Sequence, residues 1–268
     1  MTDLFVYGTL RHIPLLEIVL GRSAAQIDMV GCDLPDHAAM AALEGPFPMI
    51  SCRVGHSQSG LVLNNLSSLD LERLNFYEGG FDYSLRRETV SNGQVVDVYF
   101  PPKNGVTPNG FWDLQAWEDT WAAMTVIAAR EVMSFFGERS AADIVRMFPM
   151  IRSRAAANLN ALSSKHGSTT LKGDVEVVKK TREYTDFFAL DAFELKHERF
   201  DGTKTSTLQR AVFVGTDAAI LLPYDSKRDR VLLVEQMRMG PLGRGDPNLW
   251  QLEPIAGRVD AGETPQAC

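Results

Sequence analysis

The first hundred residues alternate short apolar runs with turn-forming residues, a pattern typical of a strand-rich domain. The run Leu4-Phe5-Val6-Tyr7 is closed by Gly8-Thr9, as a tight turn closes a buried strand. Three further strands are predicted, at residues 60–63, 81–90 and 94–100. The pair Asn92-Gly93 lies between the last two and predicts a hairpin. This part of the chain therefore predicts a compact α+β domain.

Helical patterns dominate the middle of the chain. Residues 67–74 begin with serines and continue with leucines at helical spacing, which predicts a capped helix. Residues 112–136 are rich in tryptophan, methionine and phenylalanine with few breakers, which predicts one or two helices. Ser140 to Asp143 resembles a capping box that opens a further helix reaching about residue 162. The polar stretch 163–170 is interpreted as a hinge.

Strand patterns return after the hinge. Five strands are predicted, at residues 175–180, 187–197, 208–214, 218–222 and 231–236. The pair Asp201-Gly202 predicts a turn between two of them. The chain is accordingly divided into a first domain at residues 1–102, a helical connector at 103–170 and a second domain at 171–268.

Composition narrows the classes of function. The chain has 268 residues, enough for two domains, and its formal net charge of −7 argues against nucleic-acid binding. It contains no run of eighteen apolar residues, so no membrane span is predicted. The start Met1-Thr2-Asp3-Leu4 has no basic segment of a secretory signal, so a cytoplasmic protein is expected.

The cysteines and histidines predict no metal site or disulfide framework. The three cysteines, Cys32, Cys52 and Cys268, contain no C-x-x-C pair, and reduced thiols are the expected state. The five histidines are scattered without metal-ligand spacing.

Two motifs of the first domain carry a family resemblance. Residues 5–11 read Phe-Val-Tyr-Gly-Thr-Leu-Arg, and Tyr77-Glu78-Gly79 precedes a Tyr-x-x-Arg strand that begins at Tyr83. Together they resemble the γ-glutamylcyclotransferase-like family. The resemblance implies a small mixed β-barrel whose cavity receives both the loop and the glutamate. It also implies that Glu78 is catalytic and that Tyr7, Gly8, Thr9, Leu10 and Tyr83 bind substrate.

Elementary chemistry is consistent with these roles. Cyclisation of a γ-glutamyl compound requires its α-amine to lose a proton and to attack the γ-carbonyl. One carboxylate can take that proton and return it to the leaving amine, and burial would bring its pKa toward neutrality. Backbone amides of a glycine-containing loop can hold the substrate carboxylate. The alternatives are that Tyr7 is a core aromatic, Gly8 a turn residue and Glu78 a solvated residue at a helix end.

Residues 173–268 resemble the N-terminal half of bacterial ADP-ribose pyrophosphatases of the Nudix superfamily. The matching stretches are residues 187–191, 200–202, 210–213, 218–225, 234–238 and 250–257. The resemblance implies a partial Nudix α/β sandwich, a homodimer formed through this part and hydrolysis of a diphosphate with Mg²⁺. It also implies substrate contacts at Arg238 and Glu253, and a metal ligand at the Ala256 carbonyl. A fusion of these two domains resembles a bacterial type associated with tellurite resistance.

The last residues resemble the opening of a Nudix box. Gly257 and Glu263 have the spacing of its glycine and glutamate, and the resemblance gives them structural roles. The family pattern continues with R-E-x-x-E-E, whose carboxylates hold the metal, and this segment is not in the chain. We therefore expect a truncated domain that binds Mg²⁺ weakly. For Arg238 and Glu253, the alternative to substrate binding is a surface or interface ion pair.

Three functions remain open from the sequence. The first is hydrolysis of ADP-ribose or a related nucleoside diphosphate derivative by the full-length relative. The second is cyclisation of a γ-glutamyl amine through Glu78. The third is a non-catalytic module that binds a small metabolite or dimerises. All three imply a small-molecule ligand or a second copy, rather than nucleic acid or membrane.

Overall fold

The computed structural model describes residues 2–78, 83–102, 106–163 and 174–268. Gly79, the first two residues of the strand predicted at 81–90 and nearly all of the predicted hinge lie outside these ranges. The chain divides into two compact units, Met1–Ala155 and Ala156–Cys268.

A mixed six-stranded sheet forms the frame of the first unit. Its strands are β1 (Thr2–Val6), β2 (Met29–Ala42), β3 (Pro48–Leu66), β4 (Ser84–Thr89), β5 (Val95–Phe100) and β6 (Pro108–Phe111). Their order in the sheet is β4-β5-β1-β3-β2-β6, and β1 pairs parallel with β5 while its other neighbour, β3, is antiparallel. The sheet curls into a half-barrel, so the α+β class with a mixed barrel-like sheet is confirmed.

The β2–β3 hairpin is longer than its sequence pattern indicates. The strand predicted at residues 60–63 is only one part of β3, and β2 has no counterpart in the prediction. Pairing shifts between Pro35 and His37, where Asp36 has a φ of 56° and its side chain accepts from the Gly55 amide at 2.8 Å. This irregularity breaks the alternation of apolar residues, which explains why the sequence shows only a short strand.

The predicted hairpin at Asn92-Gly93 is confirmed. β4 and β5 pair antiparallel from Ser84↔Phe100 to Thr89↔Val95. Gly93 has a φ of 86° and its amide donates to Val90 at 2.8 Å, so a glycine suits this turn.

The described part of the first unit has five helices that pack with the sheet or begin at capping residues. They are α1 (Ile13–Leu20), α2 (Ser68–Glu78), α3 (Leu114–Trp117), α4 (Ala123–Met133) and α5 (Ala141–Ser163), with a π-helical turn at Glu118–Ala122. Both predicted caps form, since the side chains of Ser67 and Ser140 each accept from a backbone amide three residues on. α1 was not predicted. No helix in the described ranges combines the length and apolar character that crossing a bilayer requires.

Two apolar clusters on the two sides of β1 form the core. Leu4 and Val6 pack with α1, whereas Phe5 and Tyr7 pack with the opposite cluster around Val62 and Val98. Each of these side chains is almost fully buried. The carboxyl end of β1 is therefore held from both sides, and the loop that follows it starts from a rigid position.

The helices after residue 112 are part of this core. Trp117, Ala122 and Ala129 belong to the same buried cluster as Leu4. Arg154 of α5 is buried and forms an ion pair with Glu131 of α4 at 2.6 Å. Helices that the sequence assigns to a connector thus pack into the first unit.

The second unit consists of short ladders. Its elements are β7 (Val175–Thr185), β8 (Ala189–His197), β9 (Leu208–Val214), β10 (Ala218–Leu221), β11 (Tyr224–Asp225), β12 (Arg230–Val231), β13 (Val234–Met237), α6 (Met239–Arg244), β14 (Trp250–Glu253) and β15 (Ile255–Arg258). β7, β8 and β9 form an antiparallel sheet, and β10–β15, β11–β12 and β13–β14 form pairs. The single strand predicted at 231–236 is wrong, because the chain leaves the ladder between Val231 and Val234.

Little of the second unit is buried. Among its described residues, only Thr185, Ala189 and Asp191 are buried. Large apolar side chains such as Phe213, Ile220 and Leu252 are exposed. This unit is therefore held together mainly by hydrogen bonds between strands rather than by a packed core.

Candidate active site

A small cavity lies where β1 ends. Its volume is about 60 Å³ and it is partly open to solvent. It is lined by Phe5, Val6, Tyr7, Gly8, Thr9, Leu10, Phe47, Pro48, Glu78, Tyr83 and Tyr99. The six residues that the sequence assigns to a first site, from Tyr7 to Leu10 together with Glu78 and Tyr83, therefore meet at one cavity.

Gly8 allows the loop to approach the β3 strand closely. A Cβ atom placed on Gly8 would lie 2.4 Å from Cγ of Pro48. The φ of Gly8 is −113°, which other residues also adopt. The close approach of Pro48 therefore requires a residue without a side chain at this position.

Three backbone amides of the loop are available to a ligand. The chain turns through a 3₁₀ helix at Thr9–Arg11, whose hydrogen bonds are donated by Arg11 and His12. The amides of Gly8, Thr9 and Leu10 donate to no other residue that the structure describes. Consecutive free amides at the start of a turn form a concavity that suits an anion such as a carboxylate.

Glu78 is the last residue of α2. Leu74 and Phe76 anchor the preceding turn in the core, and Glu78 itself is half-buried. Within the described part of the chain, its carboxylate has no hydrogen bond or ion pair. Burial without a compensating partner raises its pKa from 4.5 to about 7. The carboxyl can therefore exchange a proton near neutral pH.

Tyrosine hydroxyls surround this carboxylate. Tyr7 donates to the Tyr99 carbonyl at 3.0 Å, and Tyr83 lies 3.5 Å from the Pro48 carbonyl. Burial, together with the charge of Glu78, raises the pKa of Tyr7, Tyr83 and Tyr99. All three therefore stay protonated at neutral pH and remain hydrogen-bond donors.

This arrangement offers a base of near-neutral pKa beside free amides in a mostly apolar cavity. It matches the requirements of general acid–base catalysis on a small substrate that carries a carboxylate. Tyr7 is both a core aromatic and a cavity residue, so its two interpretations are compatible. Glu78 is not the fully solvated residue of the alternative interpretation.

Sequence reasoning missed three lining residues. Tyr99 lies in a strand that was predicted, but the strand's buried alternation at Val96 and Val98 gives no sign of a functional residue on the other face. Phe47 lies just before β3, and Pro48 is the first residue of the unpredicted part of β3. Only the long-range approach of Pro48 to Gly8 brings them to the cavity, and no local pattern encodes it.

Arg238 and Glu253 lie together in the second unit. β13 and β14 are paired antiparallel, and Arg238 donates from Nε to Glu253 at 2.9 Å and also from Nη2. Hydrogen bonding to Glu253 raises the pKa of Arg238 further. In this structure the two side chains form the ion pair that was the alternative to ligand binding.

The residues expected around Mg²⁺ lie in a strand pair and in the turn that follows it. Ala256 and Gly257 lie in β15, opposite Ile220 and Ala219 of β10. Glu263 accepts a hydrogen bond from the Asp260 amide at 3.1 Å. The described residues bring no three acidic, histidine or cysteine side chains together as metal ligands. Because Mg²⁺ prefers several oxygens in octahedral geometry, this donor set does not fit the ion.

Part of the first unit matches the model of a known family. Residues 4–118 match the family described as "Gamma-glutamyl cyclotransferase, AIG2-like". This range includes every residue that lines the cavity, and it ends before α4 and α5. The resemblance expected from the loop and from Glu78 is therefore confirmed at the level of the domain.

About a third of the chain is similar to curated proteins named ADP-ribose pyrophosphatase. ADP-ribose pyrophosphatase of Escherichia coli strain K12 is 37% identical over 93 residues, which are 35% of this chain and 44% of that protein. The protein of the same name from Haemophilus influenzae is 36% identical over 97 residues, again 35% of this chain and 44% of the relative. The chain thus spans less than half the length of these relatives.

Solved structures give weaker matches. A structure named gamma-glutamyl cyclotransferase is 13% identical, with a TM-score of 0.34, and the match covers 51% of this chain and 80% of that one. A solution structure from Arabidopsis thaliana is 21% identical, with a TM-score of 0.37, and the match covers 65% of this chain and 95% of that one.

Proposed function

We propose that the first unit is a cyclotransferase acting on a γ-glutamyl amine, with Glu78 as the catalytic acid–base. The observation that carries the proposal is the half-buried carboxylate of Glu78, with a pKa of about 7, on the same cavity as the free amides of Gly8, Thr9 and Leu10. The domain match to residues 4–118 supports it.

In the proposed reaction the substrate carboxylate binds the loop amides. Glu78 removes a proton from the α-ammonium, and the free amine attacks the γ-carbonyl carbon to form the new C–N bond of a five-membered ring. The bond to the original amine then breaks, and Glu78 returns the proton to that leaving nitrogen. The ring nitrogen loses its remaining surplus proton, which the released amine takes up, so the products are 5-oxoproline and the ammonium form of that amine, and the Glu78 carboxylate is regenerated.

The size of the cavity limits what it encloses. A volume of about 60 Å³ is well below the roughly 300–1,000 Å³ of pockets that surround a drug-sized ligand. We propose that the γ-glutamyl end enters the cavity and that the amine end extends through its opening past Phe47. The reacting atoms would then be shielded while the leaving group stays close to water.

The test measures 5-oxoproline released from γ-glutamyl amines. Glu78→Gln keeps the shape of the side chain but removes its proton transfer, and we expect turnover to fall by about 10²–10⁴-fold. Glu72→Gln is the matched control, because Glu72 is an exposed residue of the same helix. Equal turnover by Glu78→Gln and the unmodified chain would contradict the assignment. Binding of 5-oxoproline without turnover would favour the third hypothesis, a metabolite-binding module.

We propose a second activity, hydrolysis of ADP-ribose or a related nucleoside diphosphate derivative, for the longer protein type that the curated relatives represent. The observation that favours it is the 37% identity to ADP-ribose pyrophosphatase. We assign that similarity to residues 173–268, and with it propose a homodimer formed through this part. Arg238 is the residue we expect to contact the diphosphate, because a guanidinium donates in a fork that suits phosphate oxygens.

The second test measures AMP formed from ADP-ribose in the presence of Mg²⁺ by a version of this chain extended through the R-E-x-x-E-E segment. In that version Arg238→Ala should remove turnover, whereas Arg228→Ala, at another exposed arginine of the same unit, should leave it unchanged. Glu78→Gln should also leave it unchanged. If the extended version forms no AMP, the diphosphatase proposal fails and the cyclotransferase proposal is unaffected.

A further inference from the structure

We propose that Asn75 and Tyr99 act as a positioning pair that holds Glu78 at the correct place for proton transfer. This inference rests on the proposed cyclotransferase function. It concerns the hydrogen bond between the Tyr99 hydroxyl and the Asn75 side chain, which lies outside the motifs that point to the family.

The hydrogen bond joins the two structural elements that carry the site. Tyr99 Oη in β5 donates to Oδ1 of Asn75 in α2 at 2.6 Å. The Tyr99 carbonyl accepts from the Tyr7 hydroxyl in the segment leading to the loop, at 3.0 Å. Tyr99 thus links the glutamate-bearing helix to the amide-bearing loop through two consecutive hydrogen bonds.

Asn75 is placed to influence Glu78 directly. The two residues are three positions apart in α2, and residues at this spacing lie on the same face of a helix. A bond that fixes Asn75 against β5 therefore fixes the last turn of α2 toward the cavity. Tyr99 is only 7% exposed and lines the cavity, whereas Asn75 is exposed, so the bond lies at the border between the cavity wall and solvent.

An independent contact fixes the remainder of the helix. Arg73 donates from Nε to the Val19 carbonyl at 2.7 Å and from Nη2 to the Ile18 carbonyl at 3.1 Å, at the end of α1. With this contact in place, loss of the Asn75–Tyr99 bond would release the last turn of α2 rather than the whole helix. The Arg73 contact therefore anchors the helix, whereas the Asn75–Tyr99 bond orients the Glu78 carboxylate.

Steady-state kinetics of a double-mutant cycle test the pair. Tyr99→Phe removes the donor and Asn75→Ala removes the acceptor, while the Tyr99 carbonyl that binds Tyr7 remains. We expect each to lower kcat about 10-fold with KM changed less than about 2-fold, since a small misplacement of a catalytic group slows the reaction step. The double variant should be no slower than either single variant, because all three lose the same bond. Tyr224→Phe is the control, since it removes an exposed hydroxyl-to-carboxylate bond in the second unit.

The results of the double-mutant cycle distinguish a positioning role of Asn75 and Tyr99 from a purely structural role. An unchanged kcat in either variant, or losses that multiply in the double variant, would overturn the positioning role. A rise in KM with unchanged kcat would overturn it as well, because it would make Tyr99 a binding residue.

If the unmodified chain turns over no γ-glutamyl amine, a measurement without substrate tests whether Asn75 and Tyr99 position Glu78. In that case the proposed function fails, and the carboxyl carbon of Glu78 is titrated by ¹³C NMR in each variant. Release of the last helical turn would admit water and lower the pKa of Glu78 by at least about 1 unit from about 7 toward 4.5. A titration identical to that of the unmodified chain would overturn the positioning role.

Discussion

Glu78 in the first unit and Asp191 in the second are carboxylates that are at least partly removed from water, and they behave in opposite ways. Glu78 of the first unit has no partner in the described residues, and burial raises its pKa to about 7. Burial of Asp191 in the second unit acts in the same direction, but hydrogen bonds from Arg182 and Lys180 outweigh it and lower the pKa. Hydrogen-bonding and charged partners, and not burial alone, therefore distinguish a carboxylate suited to proton transfer from one that stabilises a sheet.

The units also differ in how they exclude water. β1 of the first unit is covered on both faces by apolar clusters, whereas the ladders of the second unit leave most apolar side chains exposed. A sheet with an uncovered apolar face gains little from the hydrophobic effect. We therefore expect the second unit to depend on its strand hydrogen bonds and on the Asp191 ion pairs.

The largest expected effect comes from cutting an apolar side chain in each unit. Leu63 is fully buried, and Leu63→Ala should lower the free energy of unfolding of the first unit by about 2–5 kcal/mol. Leu252 is 71% exposed, and Leu252→Ala should change stability by no more than about 0.5 kcal/mol. Equal losses would contradict the difference in packing.

Tryptophan fluorescence can separate the two units in this measurement. Three of the four tryptophans, Trp112, Trp117 and Trp121, belong to the first unit, and only Trp250 belongs to the second. Denaturation is followed in a Trp250→Phe background, where the signal comes from the first unit alone. Amide hydrogen exchange of β7–β9 reports on the second unit.

The next largest effect on stability is expected from alanine substitution at a glycine of each unit. Gly8→Ala places a methyl group against Pro48, and overpacking of this kind costs about 1–3 kcal/mol. Cyclotransferase turnover should fall with it, because the loop amides must shift. Gly215→Ala in the second unit meets no atom within 4 Å and should be nearly neutral. Full activity and stability of Gly8→Ala would show that the loop tolerates a side chain, contrary to its close packing.

The sequence predicts those parts of the fold that depend on local patterns. The capped helices, the Asn92-Gly93 hairpin and the β7–β9 strands all have alternation or capping residues within a few positions. α1 and most of the β2–β3 hairpin were missed. β2 pairs with β3 across an irregular register at Asp36, which interrupts the alternation of apolar residues.

The residues of the candidate site likewise fall into those that a local motif predicts and those that only the fold brings in. The loop at Tyr7–Leu10 and Glu78 could be identified because a short motif marks each of them. Tyr99 and Pro48 could not, since only the folded sheet brings them to the cavity. The pairing of Arg238 with Glu253 likewise depends on strand register rather than on any motif.

Removal of the Asp191 charge should weaken the second unit. Asp191→Asn leaves Arg182 and Lys180 without their carboxylate, and we expect a loss of about 1–3 kcal/mol at pH 7. Because the pKa of Asp191 is lowered from 3.8, its stabilisation is present above that value and disappears as pH falls below it. Hydrogen exchange in β7 and β8 should therefore differ between variant and unmodified chain at pH 7, and the difference should shrink as pH falls below 3.8. A difference that stays the same as pH falls would contradict the role of the charge.

Glu78→Gln should change stability with the opposite sign. The pKa of Glu78 is raised from 4.5 to about 7, so the unmodified first unit loses stability as pH rises between these values and stays less stable above them. Glutamine carries no charge, so the variant should be more stable by roughly 1–3 kcal/mol at pH 8 and no different at pH 4. Denaturation followed by tryptophan fluorescence at the two pH values checks this, with Glu72→Gln as the exposed control. A variant that is inactive but more stable at pH 8 would indicate that this unit gives up stability to keep an unpaired carboxylate at its cavity. A variant that is less stable at pH 8 would mean that Glu78 has a partner when ionised, and the comparison with Asp191 would fail.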